Sequence, residues 1–318
     1  MLVHFTVNGT DHSLEVHPGE LLRTALRRLR YYSVKFGDEH ALTGADAVLL
    51  TLTPDQPRSY RLVNSGGMLA VQADGAAIIT AEGLSGPRDH ELHPLQEQFV
   101  TCGAIQCGYC TPAQLLAAKK LLDENPSPSE AQVREALAGV LCRCTGYVKP
   151  VEAVLRAAAQ MRGEELGAYQ VHIIDAPESD EWPTGGDSQG SGDGADGGAG
   201  GTDTQTRTKT VPVKMAPPET VVVNKPEPKV DAIKLVKGRA VFADDMELPG
   251  MLYGGLLTSP HAHARIKHID ASKARALPGV HAVLTHMDVP RVVYAAGGQS
   301  YPNPPPYDQV SLDNKVRH

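Results

Sequence analysis

The sequence predicts an α+β protein assembled from separate parts, and three observations carry that reading. An alternating N-terminal hairpin is followed by a helix, a middle region of helical period holds every cysteine, and a long Gly/Ser/Asp-rich run divides that region from a second globular stretch. A chain of 318 residues suffices for about two domains, each with its own core. The hydrophobic fraction, 41 %, suits a globular protein that also carries loose sequence. No run approaches the roughly 18 to 20 consecutive apolar residues of a membrane span, and MLVHFTVNGT lacks the basic start and apolar core of a signal peptide, so the expected location is the cytoplasm. The net charge of −7 argues against nucleic acid as a partner. It is matched by the seven acids of Glu178–Asp203, a stretch without Lys or Arg, which leaves the folded parts near neutral.

Residues 1–80 form the first predicted domain. Leu2–Val7 alternates in strand fashion, Asn8-Gly9 is a hairpin turn signal, and Ser13–Val16 continues as a second strand. Pro18 precedes a predicted helix over Glu20–Arg30, where Leu21, Leu22, Ala25, Leu26 and Leu29 form one apolar stripe. Ala47–Thr53 and Tyr60–Asn64 read as further strands, which is the element order of a β-grasp, ferredoxin-like domain. Residues 81–165 should hold four short helices, at Pro94–Val100, Pro112–Asp123, Ser129–Leu137 and Pro150–Met161, with Ser129 as an N-cap and Pro112 and Pro150 in first turns. Residues 166–229 contain GGDSQGSGDGADGGAGG, which cannot bury enough apolar surface to offset its ordering entropy, and are expected to be a flexible linker. In residues 230–318 strands are expected at Met251–Thr258, Ala264–Asp270 and Val280–Thr285, with a short helix at Ser272–Ala276.

The five cysteines are odd in number and confined to Cys102–Cys144, so a disulfide framework fits poorly and a metal site fits well. Cys107-Gly108-Tyr109-Cys110 precedes one predicted helix and Cys142-Arg143-Cys144 precedes another. Two short-spaced pairs on neighbouring helices can bring four thiolates to one place, as iron–sulfur clusters require. On spacing alone an iron–sulfur site leads, a four-thiolate zinc site stays open, and so does no metal at all.

The segments GAIQCGYCTPAQLLAAKKLL and LCRCTGYVKPVEAV resemble the second iron–sulfur motif of the xanthine dehydrogenase and aldehyde oxidoreductase family of molybdenum hydroxylases, QCG(F/Y)C(T/S)P with CRCTGY. The resemblance implies one [2Fe–2S] cluster with Cys107, Cys110, Cys142 and Cys144 as ligands and leaves Cys102 outside the pattern. It also implies that Gln106 and Cys144 contact the pterin of a molybdopterin-type cofactor. Gly108 and Gly146 are expected to let the backbone approach the sulfurs closely. The family's plant-type ferredoxin domain resembles VKFG…GADAVLL and VNSGGMLAVQADGA here, yet its ligand positions fall on Asp38, Thr43, Asp46 and Gly66. The first cluster should therefore be absent. The polar residues there are expected to be solvated replacements rather than a new metal site on Asp38, His40 and Asp46.

The stretch from KLVKGRAVFADD to VLTHMDVP resembles the opening of the family's a/b hammerhead region, where His261 and His263 have a structural rather than a metal-binding part. The family's flavin domain is missing, so FAD is expected on another subunit. The family's molybdenum-binding loops and general base lie beyond the region matched here, so no catalytic residue is expected in this chain. The hydroxylation centre should lie on a molybdenum-binding partner in a hetero-oligomer, unless the chain is a fragment. The missing first cluster, the missing flavin domain and GGQSYPNPPPYDQVSLDNKVR together resemble the selenium-dependent purine hydroxylases. The activity so implied is hydroxylation of a purine such as xanthine or hypoxanthine, with electrons leaving by the pterin and Cys144 for the cluster and then a flavin subunit or another acceptor. A stand-alone ferredoxin-like carrier or assembly scaffold is the rival reading. Residues 238–318 weigh against it, because a free carrier has no use for part of a hammerhead domain.

Overall fold

The computed structural model describes residues 1–56, 59–86, 88, 91–169, 227–239, 242–295 and 307–316. Most of the expected linker, and most of the segment GGQSYPNPPPYDQ, lie outside the described residues. Among the described residues no helix is long and apolar enough to cross a membrane. The chain divides into two compact units, Met1–Met246 and Glu247–His318.

In the first unit β1 (Leu2–Val7) and β2 (Thr10–Glu15) pair antiparallel. Asn8 and Gly9 both have positive φ, 51° and 79°, as a two-residue turn matching strand twist requires. The helix α1 (Leu22–Arg28) is shorter than the apolar stripe suggested, and it buries Leu22, Ala25 and Leu26 completely. Strands β3 (Ala47–Thr51), β4 (Arg61–Asn64) and β5 (Ala77–Ile79) complete a sheet of order β2-β1-β5-β3-β4, with β5 parallel to β1 and antiparallel to β3. Val3, Phe5, Val7, Val48, Leu50 and Ile78 meet α1 in one core. β3 is buried along its whole length because a helix of the following part covers its other face.

That part holds α2 (Pro94–Thr101), α3 (Thr111–Glu124), α4 (Glu130–Ala138) and α5 (Val148–Met161) around Leu95, Phe99, Leu115, Val133, Leu137, Val151 and Val154. Ser129 caps α4 as expected: its Oγ accepts the Gln132 N–H at 3.3 Å, and Gln132 Oε1 accepts the Ser129 N–H at 2.8 Å. A further helix, α6 (Ala232–Val236), packs against α2 and α3 and adds Ala232, Leu235 and Val236 to this core. Residues 230–246, expected to open the hammerhead region, thus belong to the first unit, since the apolar face of α6 is buried there.

In the second unit the strands expected at Met251–Thr258 and Val280–Thr285 do not form among the described residues. Only Ala264–Arg265 (β6) of the expected Ala264–Asp270 is strand. The helix α7 (Ser272–Arg275) forms as expected. Tyr294–Ala295 (β7) pairs with Tyr307–Gln309 (β8), and β6 pairs with Lys315–Val316 (β9). A strand-like run forms a strand only when a partner and a cover are supplied, and Leu256 and Leu257 remain 91 % and 100 % exposed.

Candidate metal centre

Cys110 is the N-cap of α3, and Thr111-Pro112 opens the helix, so the helix start fixes the last residue of the Cys107–Cys110 loop. Tyr147 is the N-cap of α5 and fixes the other loop. Its hydroxyl accepts the Cys142 N–H at 2.7 Å and donates to the Val140 carbonyl at 3.0 Å, which pins both ends of the turn. The role of Tyr147 was not read from the sequence, although it closes the CRCTGY motif.

The two loops bring their sulfurs together. Cys144 Sγ lies 3.7 Å from Cys107 Sγ and 3.9 Å from Cys142 Sγ, and Cys142 is in turn a hydrogen-bond neighbour of Cys110. Cys110 is buried, Cys142 and Cys144 are half-buried, and Cys107 is exposed. Among the described residues no three thiol, imidazole or carboxylate groups converge on a single-ion position. The sulfurs follow one another as neighbours, a four-thiolate donor set of the kind that both iron–sulfur clusters and tetrahedral zinc take. Burial pushes the Cys110 thiol well above its ordinary range, and the other three sulfurs add to that. Burial also opposes ionisation of Cys142, but the Thr145 hydroxyl, 3.0 Å from its sulfur, and the Thr145 amide outweigh it and hold that thiol below its usual value. Crowded thiols of this kind release protons when a cation binds.

Gly108 and Gly146 lie at φ 83° and 64°, and this left-handed backbone is what calls for glycine at both. The expected close approach to the sulfurs is not what crowds them. A Cβ on Gly108 would strike Leu235, and one on Gly146 would meet nothing within 4 Å. Gln106 is exposed beside Cys107. Cys102 is apart from the sulfur set: it caps the C-terminus of α2, is 1 % exposed in the helical core, and has its thiol pushed up to about 11 by burial.

The ferredoxin-like loop is closed by its own polar groups. The Asp38 carboxylate accepts the amides of His40, Leu42 and Thr43 at 2.8, 3.0 and 2.8 Å. Asp46 accepts the Gly66 N–H and faces Arg23 Nη1 at 3.8 Å, with both side chains buried. Arg23 Nη1 also donates to the Asp38 carbonyl at 3.1 Å, and its guanidinium lies 4.4 Å from the Phe36 ring centroid. The expectation of solvated replacements is therefore wrong for Asp46, which is buried with Oδ2 on the Gly66 N–H and near Arg23, while its Oδ1 has no hydrogen-bond partner among the described residues. The amides of Thr43 and Leu42 hold Asp38 well below the usual carboxylate range. A depressed carboxyl stabilises the fold above its unfolded value, about 4, and loses that contribution as pH falls toward its folded value. Asp38→Asn should accordingly lower the melting temperature at pH 7, with the gap from wild type narrowing below about pH 4. A gap that is constant across that range would contradict the assignment.

Comparison with known proteins agrees with this geometry. The family described as "[2Fe-2S] binding domain" matches residues 80–155, and "Aldehyde oxidase and xanthine dehydrogenase, a/b hammerhead domain" matches residues 237–318. The "Nicotine 6-hydroxylase small subunit" of Paenarthrobacter nicotinovorans is 43 % identical over 49 % of this chain and 88 % of its own length. The "Probable hypoxanthine oxidase XdhD" of Escherichia coli strain K12 is 31 % identical over all of this chain, which spans only 28 % of that relative. The crystal structure of the aldehyde oxidoreductase from Desulfovibrio desulfuricans matches 95 % of this chain and 28 % of its own with a TM-score of 0.68 at 31 % identity. The convergent thiols and the extent of these likenesses place the chain in the xanthine dehydrogenase and aldehyde oxidoreductase family of molybdenum hydroxylases, as a component that contains a [2Fe–2S]-binding domain.

Proposed function

We propose that this chain holds a single [2Fe–2S] cluster on Cys107, Cys110, Cys142 and Cys144 and passes electrons from a molybdopterin centre on a partner chain to an FAD-binding subunit or another acceptor. The observation that carries the reading is the convergence of two loops, 37 residues apart in sequence, on sulfurs 3.7 Å apart. Bound there, such a cluster supplies a one-electron relay. The chain's own residues do the rest. Cys110 and Cys142 hold the more buried side, and Tyr147 and Thr145 fix the second loop by hydrogen bonds. Exposed Gln106 and half-buried Cys144 lie on the open side, where a pterin on a partner chain could be met. The first cluster is absent in this reading, because Asp38, Thr43, Asp46 and Gly66 supply no thiolate.

The substrate we infer is a purine, on a selenium-dependent branch of the family. The name of the Escherichia coli relative supports the purine, and the cysteine-free ferredoxin loop and the GGQSYPNPPP phrase support the branch. The assembly is a hetero-oligomer in the cytoplasm, where reducing conditions suit exposed Cys107.

Iron and acid-labile sulfide analysis of the purified chain tests the site. About two of each are expected, with one reduced signal by electron paramagnetic resonance. About four of each with two signals would restore the first cluster and overturn the assignment. So would a colourless protein that holds zinc.

A further inference from the structure

The loop between Cys107 and Cys110 is covered by a segment from far along the chain. A Cβ built on Gly108 would come within 2.7 Å of both terminal methyls of Leu235, so that leucine sits directly on the loop. The next residue, Tyr109, meets Phe242 edge-on, with ring centroids 5.1 Å apart, and its hydroxyl donates to the Phe36 carbonyl at 2.6 Å. The covering segment is anchored at both ends. Gln96 Nε2 donates to the Val236 carbonyl and Lys237 Nζ to the Arg88 carbonyl, each at 2.8 Å. Lys35 Nζ pairs with Asp245 at 2.5 Å, both side chains being buried, and lies 4.7 Å from the Phe242 ring centroid. Arg27 reaches Asp244 at 3.0 Å and Asp245 at 3.2 Å. Desolvation of a buried ion pair of this kind offsets much of its Coulombic attraction.

We propose that Ala232–Gly238 and Phe242–Met246 form a positioning strap for the cluster, in which Leu235 and Phe242 hold the Cys107–Cys110 loop in place and keep water from that side of the sulfurs. The inference rests on the assignment of Cys107, Cys110, Cys142 and Cys144 as ligands. Solvent exposure and N–H···S hydrogen bonds set the potential and the lability of an iron–sulfur site. The Tyr109 N–H, 3.5 Å from Cys107 Sγ, belongs to the backbone that Leu235 and Phe242 restrain.

The test uses the full-length chain with its cluster, comparing wild type with Leu235→Ala and Phe242→Ala. Three quantities are read: the rate at which an iron chelator bleaches the cluster, its midpoint potential, and amide exchange at Tyr109 and Cys110. Val3→Ala, a core truncation in β1, is the control for lost stability alone. Both strap variants should bind a full complement of iron yet bleach about tenfold faster and exchange faster, with a shifted potential, while Val3→Ala matches wild type. If Phe242→Ala does not fold, Leu235→Val carries the same comparison with a smaller cavity. Strap variants that keep wild-type bleaching, potential and exchange would overturn the strap while leaving the ligand assignment intact. A wild-type chain without iron would overturn the assignment instead.

Discussion

Cys144→Ser is expected to lose the visible absorbance of the cluster, or to shift it strongly, while Cys102→Ser keeps it. Serine offers oxygen in place of a thiolate, and iron in such clusters binds oxygen less well and at a different potential. Cys144 bridges the two loops, with Cys107 Sγ at 3.7 Å and Cys142 Sγ at 3.9 Å, so its loss removes the residue that joins the sulfur sets. Iron content should fall with the absorbance. In the assembled enzyme, reduction of the remaining chromophore by substrate should fail as well. Cys102 has the opposite surroundings: it is buried among helix side chains, and its serine variant should cost about 1 kcal/mol in unfolding free energy with the spectrum unchanged. Iron analysis, the visible spectrum and paramagnetic resonance of the two variants decide the matter together. A bleached Cys102→Ser beside a coloured, fully reducible Cys144→Ser would reverse the ligand assignment.

What could be read from the sequence was whatever is encoded locally. Asn8-Gly9 announces its turn because few other residue pairs tolerate two positive φ angles, and Ser129 announces α4 because its side chain and that of Gln132 satisfy the helix start. The cysteine pairs are short-range for the same reason. β5 escaped notice because three residues, Ala77–Ile79, are too few to show a period, and it is identified only by its partners Thr6, Val7 and Leu49–Thr51. α6 is five residues long, and nothing in AIKLV says that its leucine rests on Gly108, more than a hundred residues earlier. In the second unit the same local reasoning overshot. The apolar residues of Met251–Thr258 mark a possible strand, but the ladder and the cover are supplied by other elements, and the described residues show neither there. The ferredoxin-like loop marks the same boundary. The sequence displays the missing thiolates at Asp38, Thr43, Asp46 and Gly66, but not that Arg23, on α1, takes up the charge of Asp46.

Asp46→Ala should destabilise the first unit by about 3 to 5 kcal/mol, the usual cost of removing one partner from a buried ion pair. Asp46 and Arg23 have side-chain exposures of 1 % and 6 %, so the guanidinium left behind could not turn to water without disrupting the loop. Among the described residues it would keep the Asp38 carbonyl and the face of Phe36, and the Gly66 N–H would lose its acceptor. Arg23→Met should cost a similar amount at neutral pH for the complementary reason, a buried carboxylate without its cation. The pH dependence then has a definite sign. Burial already raises the Asp46 carboxyl above its ordinary value, against the Gly66 amide and Arg23, which pull it down. Removing Arg23 raises it further. A raised carboxyl favours the fold below its unfolded value, about 4, and opposes it as pH climbs through the folded value, so the deficit of Arg23→Met should shrink on acidification. The double variant Arg23→Met with Asp46→Leu should recover much of the loss, because apolar residues can replace a buried pair. Iron and absorbance are read on the same proteins, because this loop meets both cysteine loops: the Phe36 carbonyl accepts the Tyr109 hydroxyl at 2.6 Å and the Thr43 carbonyl accepts the Leu141 N–H at 2.9 Å. Denaturant unfolding at pH 7 and pH 4.5 measures every arm. An Asp46→Ala chain within about 0.5 kcal/mol of wild type, the range of an ordinary surface change, would show that the pair does not hold this loop closed.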